Sequence, residues 1–178
     1  MSGSTTEACA GERRLLVTRG SFVLIALAAL AMLLLSGCAT NAQQGRQAMV
    51  HEMGRQVMPF DLEKTRHIFE MTERGGIQQV IARDPKDTGQ IALIRQHLRH
   101  EAMRFMAGDF SDPTSLHGSD MPGVRELSEN SAHVTIEYSD LENGGQLTFA
   151  TADAGLITAI HRWFGAQLSD HGADATYR

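Results

Sequence analysis

Lysine, cysteine and aromatic residues are scarce in this chain, and each shortage closes a door. Lys64 and Lys86 are the only lysines among 16 Lys+Arg, against 21 Asp+Glu, for a formal net charge of −5. A nucleic-acid binder neutralises phosphates with a basic face, so that class is not expected. No G-x-S-x-G elbow and no H-E-x-x-H pair occurs, so neither a serine hydrolase nor a zincin is indicated, and no catalytic residue is assigned. Gly75-Gly76 and Gly144-Gly145 fall at predicted hairpin turns rather than strand-to-helix junctions, so they are not read as phosphate cradles. There is one long apolar run, Phe22–Leu35, of fourteen uncharged residues. That is short of the ~20 residues a spanning helix needs.

Arg13, Arg14 and Arg19 precede this run, and Leu35-Ser36-Gly37-Cys38 follows it. A basic n-region, a short h-region and small residues before a cysteine make a signal-peptide pattern. The last four residues resemble the bacterial lipobox. The resemblance implies cleavage before Cys38, acylation of the new N-terminus, and anchoring to a membrane through three chains, which is ample for stable attachment. Ala39 in place of Asp implies the periplasmic face of the outer membrane. Cys9 then leaves with the signal and Cys38 becomes a thioether, so no thiol remains for a disulfide, a zinc finger or a cysteine nucleophile. From Cys38 onward the chain keeps all 8 His and 7 of its 9 Met, an enrichment that calls for an explanation.

The expected organisation is a signal peptide at 1–37, a lipidated tether at 38–62, a single α+β domain at 63–172 and a tail at 173–178. Residues 39–47 are small and polar. Met49, Val50, Met53 and Val57 recur at helical spacing before Pro59, so the second half of the tether reads as a short amphipathic helix or an extended linker. Thr65–Thr72 alternates, with His67, Phe69 and Met71 on one face. Glu73-Arg74-Gly75-Gly76 turns the chain and Ile77–Ala82 returns as a strand. Asp84-Pro85 then opens a helix whose stripe is Ile91, Ile94, Leu98, Ala102 and Phe105, ending at Gly108. Residues 108–123 hold Gly, Pro, Asp and Ser at turn density and read as a long loop with Phe110, Leu116 and Met121 as packing anchors. A second hairpin follows, with Val134, Ile136 and Tyr138 inward and a turn at Asn143-Gly144, and a last helix runs from Asp153 to Gly172. The fold class is therefore α+β, ββα-ββα, a four-stranded antiparallel sheet with two helices on one face. His67 with His133, and the two helical stripes, align at an offset of 66, which suggests an internal repeat.

Imidazole and thioether without thiolate favour copper over zinc. His117 and Met121 lie in the 108–123 segment and are the leading candidate ligands. His97, which shares a helix face with Glu101, and His161 and His67 are candidates to complete the shell. Each has a plainer reading. His67 and His161 suit hydrogen-bonded core positions, His100 and His133 face solvent, His171 suits the negative end of a helix dipole, and Met53, Met71, Met103 and Met106 suit core filling.

Taken together, Thr65-Arg-His67-Ile-Phe69, Gly75-Gly76-x-Gln78-x-Val80, Gly108-Asp-Phe-Ser-Asp-Pro113, His117-Gly118-x-x-Met121-Pro-Gly123 and Asp170-His171-Gly172 resemble a group of small bacterial envelope proteins over residues 60–172. The resemblance implies a setting among copper and heavy-metal genes. Some of that group carry an aspartate carbamoyltransferase label, which this sequence does not support, having about half the needed length and no Ser-Thr-Arg-Thr phosphate loop. The expected function is a lipid-anchored envelope protein that binds a transition metal, copper foremost. The alternatives are a non-catalytic adaptor with an envelope protein partner and structural His and Met residues, or a binder of a small organic molecule beneath the 108–123 segment.

Overall fold

The computed structural model describes residues 40–178. The expected signal peptide and the expected lipidation site, Cys38, lie outside the described residues. Residues 40–57 form helix α1, where a polar tether with at most a short helix was expected. Its polar side chains are not merely solvated. Gln43 and Gln47 donate to the Ser169 carbonyl, Arg46 pairs with Asp170, and Val50 is fully buried. Helical propensity alone would leave such a segment marginal; tertiary partners fix it.

Strands β1 (Thr65–Thr72) and β2 (Gly75–Ala82) form the first antiparallel hairpin. Thr65, His67 and Phe69 point into the core, as the alternation predicts. The turn is tighter than expected: Gly75, at φ +140°, already pairs with Thr72, a backbone shape that favours glycine. Helix α2 (Thr88–Met106) buries its predicted stripe but starts later than expected. Asp87, not Asp84, caps it, accepting from the Gln90 N–H at 3.1 Å, while Asp84 and Pro85 shape the preceding turn.

The 108–123 segment is not a plain loop. It contains helix α3 (Ser111–His117), held because Phe110 stacks on Phe105 at 4.6 Å and Leu116 is buried. Helix α4 (Val124–Glu129) follows, then β3 (Thr135–Leu141), β4 (Gly144–Ala150) and helix α5 (Ala154–His171). Asp153 caps α5 by accepting from the N–H groups of Gly155 and Leu156. Gly172 (φ +54°) reverses the chain, and the expected tail forms strand β5 (Ala175–Tyr177).

The sheet order is β3-β4-β2-β1-β5. The first four strands are antiparallel and β5 lies parallel to β1, so the sheet is five-stranded and mixed rather than four-stranded and antiparallel. Buried Ala175 and the bond from the Arg178 N–H to the Phe69 carbonyl secure the added strand, features too short to announce themselves in sequence. Both long helices lie on one face, as expected: α2 over β2, β3 and β4, and α5 over β1, β2 and β5. Trp163 sits at the centre, edge-on to Phe105, Phe110 and Phe149 at 5.3–5.5 Å, the arrangement aromatic quadrupoles favour. Among the described residues, no helix is long and apolar enough to cross a membrane.

The two ββα halves are related in space, but not by one offset. The capping residues Asp87 and Asp153 stand 66 apart, while Gly75-Gly76 opens β2 as Gly144-Gly145 opens β4, 69 apart. The central pairing has the same symmetry, with Gly75 opposite Ala150 and Ile81 opposite Gly144. His67 therefore corresponds to Ile136 and not to His133, which lies exposed before β3. The helix offset had been carried onto strands that follow another.

Candidate functional site

Between α2 and α5, above β1 and β2, lies a cavity of about 50 Å³, also lined by α3 and the chain just after α1. That is room for a few waters or one small ion. The two helices line it from equivalent positions: His97, Glu101 and Phe105 on α2, and Trp163, Gln167 and His171 on α5, each pair 66 residues apart. His67 and Gln78 contribute from the sheet below, Asp112 and His117 from α3, and Met58 from the chain after α1.

Among the described residues, five buried side-chain atoms have no hydrogen-bond partner: His67 Nδ1, Gln78 Oε1, Glu101 Oε1, Trp163 Nε1 and Gln167 Oε1. All five residues line this one cavity. Buried polar atoms are rarely left unpaired in a native protein, so five around one void mark a place built for something polar.

The imidazoles of the cavity are neutral, and the Asp112 carboxylate at its wall is paired with Arg104. Burial pushes His67 well below its ordinary pKa, helped by repulsion from His171, His97 and His117. Burial also takes His97 and His171 down to about 4. His117 is lowered by burial, against the opposing pull of Asp170. Four unprotonated imidazoles therefore face one space at neutral pH.

Glu101 goes the other way, to about 8, through burial and then a shared hydrogen bond with Asp112. Arg104 stands 3.6 Å from Glu101, which would favour the carboxylate, but it is already engaged with Asp109 at 2.9 Å and Asp112 at 2.5 Å. With two carboxylates neutralising one guanidinium, the desolvated Glu101 keeps its proton.

These shifts set a stability profile. The unfolded chain binds protons at the histidines below pH 6.5 that the folded chain refuses until about 4, so stability falls as pH drops through that window. Glu101 has the opposite sign: its contribution is complete below 4.5 and is lost as pH rises through 8. Urea midpoints should therefore peak near pH 6.5 and decline toward 8, by at most about 1.4 kcal/mol per pH unit for one proton. Glu101→Gln should flatten that alkaline limb. An unchanged decline in the variant would show that Glu101 does not carry the proton.

His117 is held by a relay. Its Nδ1–H donates to Asp170 at 2.8 Å, and Arg46 grips the same carboxylate at 2.5 and 2.6 Å while also donating to the His117 carbonyl at 2.9 Å. A carboxylate on one ring nitrogen fixes the tautomer and leaves the other nitrogen a lone-pair donor. His171 packs between its neighbours, with ring centres 4.9 Å from His67 and 5.2 Å from His117.

No protein family, curated protein or solved structure matches the chain. Function must be read from the cavity. Of the ligands expected from sequence, His67, His97 and His117 come together here. Met121 and His161 do not. Met121 is a buried core residue that does not line the cavity, and His161 Nε2 binds the carbonyls of Thr72 and Gly75 at 3.0 and 2.9 Å, pinning the first hairpin turn. His171, expected to serve the helix dipole, is instead a buried wall of the cavity. Its spacing was the missed signal: Trp163, Gln167 and His171 stand at i, i+4 and i+8, repeating His97, Glu101 and Phe105. Among the described residues, no three His, Cys, Asp or Glu side chains already stand in metal-holding geometry.

Proposed function

We propose that the chain is a lipid-anchored envelope protein, held by an acylated Cys38, whose domain binds a transition-metal ion, copper foremost, in the cavity between α2 and α5. The reading is carried by the spacing of three unprotonated imidazoles. His67, His171 and His117 follow one another at 4.9 and 5.2 Å between ring centres. Nitrogen ligands around one tetrahedral ion, at roughly 2.0–2.1 Å each, put ring centres about 5 Å apart. The rings are spaced for a common ion but not yet aimed at it, since His67 and His171 lie nearly parallel, at 14°. Turning the rings within the cavity is the adjustment binding requires. Low proton affinity helps, because an imidazole must be unprotonated to ligate. Met58 supplies a thioether at the same wall, a donor that favours Cu(I).

Adding Cu(I) or Cu(II) to the protein in chelator-free buffer should raise its stability by ~2.7 kcal/mol at a free concentration one hundred times the dissociation constant. His67→Gln combined with His171→Gln should remove that gain. No shift in melting temperature with either ion would sink the reading. The adaptor reading draws on the absence of a ready-made donor triad among the described residues. It expects no metal-linked stabilisation and a fixed partner recovered by cross-linking.

A further inference from the structure

Helix α2 carries donors on its outer side as well. His100, Met103 and Met106 are exposed, the two methionines at 60% and 49%. The sequence suggests core filling for Met103 and Met106; the stripe through Ile94, Leu98, Ala102 and Phe105 leaves Met103 on the far side of the helix and Met106 on the stripe's flank, both exposed. Steps of three residues move about 60° around a helix and put successive Cβ atoms about 5–6 Å apart, so Met103 neighbours both His100 and Met106, which themselves stand about 120° apart around the helix.

The surroundings give this trio a neutral character. His100 makes no side-chain hydrogen bond or ion pair among the described residues. Arg99 is occupied, donating to Asp140 at 2.7 Å and lying over the Tyr138 ring at 4.9 Å, and Arg104 is held by Asp109 and Asp112. The one acidic residue of α2, Glu101, is buried on the cavity side. Two thioethers and an imidazole without a carboxylate suit a soft monovalent cation and give a hard divalent ion little to bind.

We infer that His100, Met103 and Met106 form a surface site for a soft monovalent metal ion, of the Cu(I) or Ag(I) class. This inference does not depend on the cavity reading, because it shares no residue with that site.

Silver(I) is the probe, since it needs no reductant. The full chain with Cys9→Ser and Cys38→Ser, so that no thiol competes, is labelled at its methionine methyls and titrated with Ag(I). The Met103 and Met106 methyl resonances should move together and saturate with one ion. Met103→Leu combined with Met106→Leu should bind one fewer Ag(I) per chain, or bind it at least tenfold more weakly, with an unchanged melting temperature. His67→Gln with His171→Gln should leave this site intact even if it empties the cavity. Zinc should move neither methyl. Static Met103 and Met106 resonances, or an Ag(I) stoichiometry unaltered by the double leucine variant, would overturn the inference and mark the pair as a bare apolar patch.

Discussion

Glu101→Leu combined with Gln167→Leu should make the metal-free protein more stable, by about 1–3 kcal/mol, while weakening what the cavity binds. Both residues are buried and line the cavity, each has one oxygen without a hydrogen bond among the described residues, and they occupy equivalent turns of α2 and α5; the contacts of Glu101 with Asp112 and Arg104, lost in the variant, also hold the gain down. Leaving a buried acceptor unsatisfied costs about 1–3 kcal/mol, and replacing it with an apolar group of similar shape removes that penalty. Water in a void of about 50 Å³ relieves part of it, which keeps the expected gain well below the sum of two full penalties. Chemical denaturation of both proteins in metal-free buffer checks the sign. A loss of stability would mean that the polar wall serves the fold rather than a ligand, and the functional assignment of the cavity would fall with it. Binding sites commonly sacrifice stability in this way.

A second substitution should have a larger effect on the fold. Gly123→Ala should destabilise the protein by about 3 kcal/mol or more, whereas Gly118→Ala should cost about 1–3 kcal/mol, a backbone penalty alone. Both glycines have positive φ, +84° and +91°, so both substitutions carry a backbone penalty. They differ in what the new methyl would meet. At Gly118 nothing lies within 4 Å, while at Gly123 the methyl would collide with the Ala159 carbonyl of α5, whose Cα is 3.3 Å away. That collision is backbone on backbone and no rotamer relieves it, so α4 must lift from α5. Gly118, at ψ +157°, carries the harsher backbone penalty and Gly123, at ψ −20°, the packing cost, and urea unfolding of the two variants weighs one against the other. A smaller loss at Gly123 than at Gly118 would show that α4 is free to shift.

The fold was legible where a local rule and a periodic pattern agreed. The strand β1 alternation, the Asp153 cap and the α2 stripe from Ile91 to Phe105 all stand as their residues predict, because each depends on neighbours two to four positions away. Signals without such periodicity misled. The polar run 40–47 is helical because its side chains reach Ser169 and Asp170, more than a hundred residues on. The tail becomes a strand because β1 offers an open edge. Asp84-Pro85 has the chemistry of a helix start, yet Asp87 three residues later takes the cap.

The site was legible only in part. His97 with Glu101 could be placed on one face by spacing alone, and both line the cavity. His117 was singled out because a turn-rich segment has little need of an imidazole, and the relay to Asp170 and Arg46 supplies the reason for it. Met121 and His161 shared that residue chemistry but not the location, since nothing in a sequence says which wall of a sheet-and-helix sandwich a loop residue will reach.

By itself the sequence determined the signal and lipobox pattern, the two ββα units, the inward stripes of both long helices, and the abundance of imidazole in a chain whose few cysteines fall in its first 38 residues. The tertiary structure alone decided that His67, His97, His117 and His171 share one cavity, and that His100, Met103 and Met106 do not. Periodicity records which face of an element turns inward. It holds no information on how closely two helices on the same sheet approach each other, and that spacing is what leaves or closes a cavity between them.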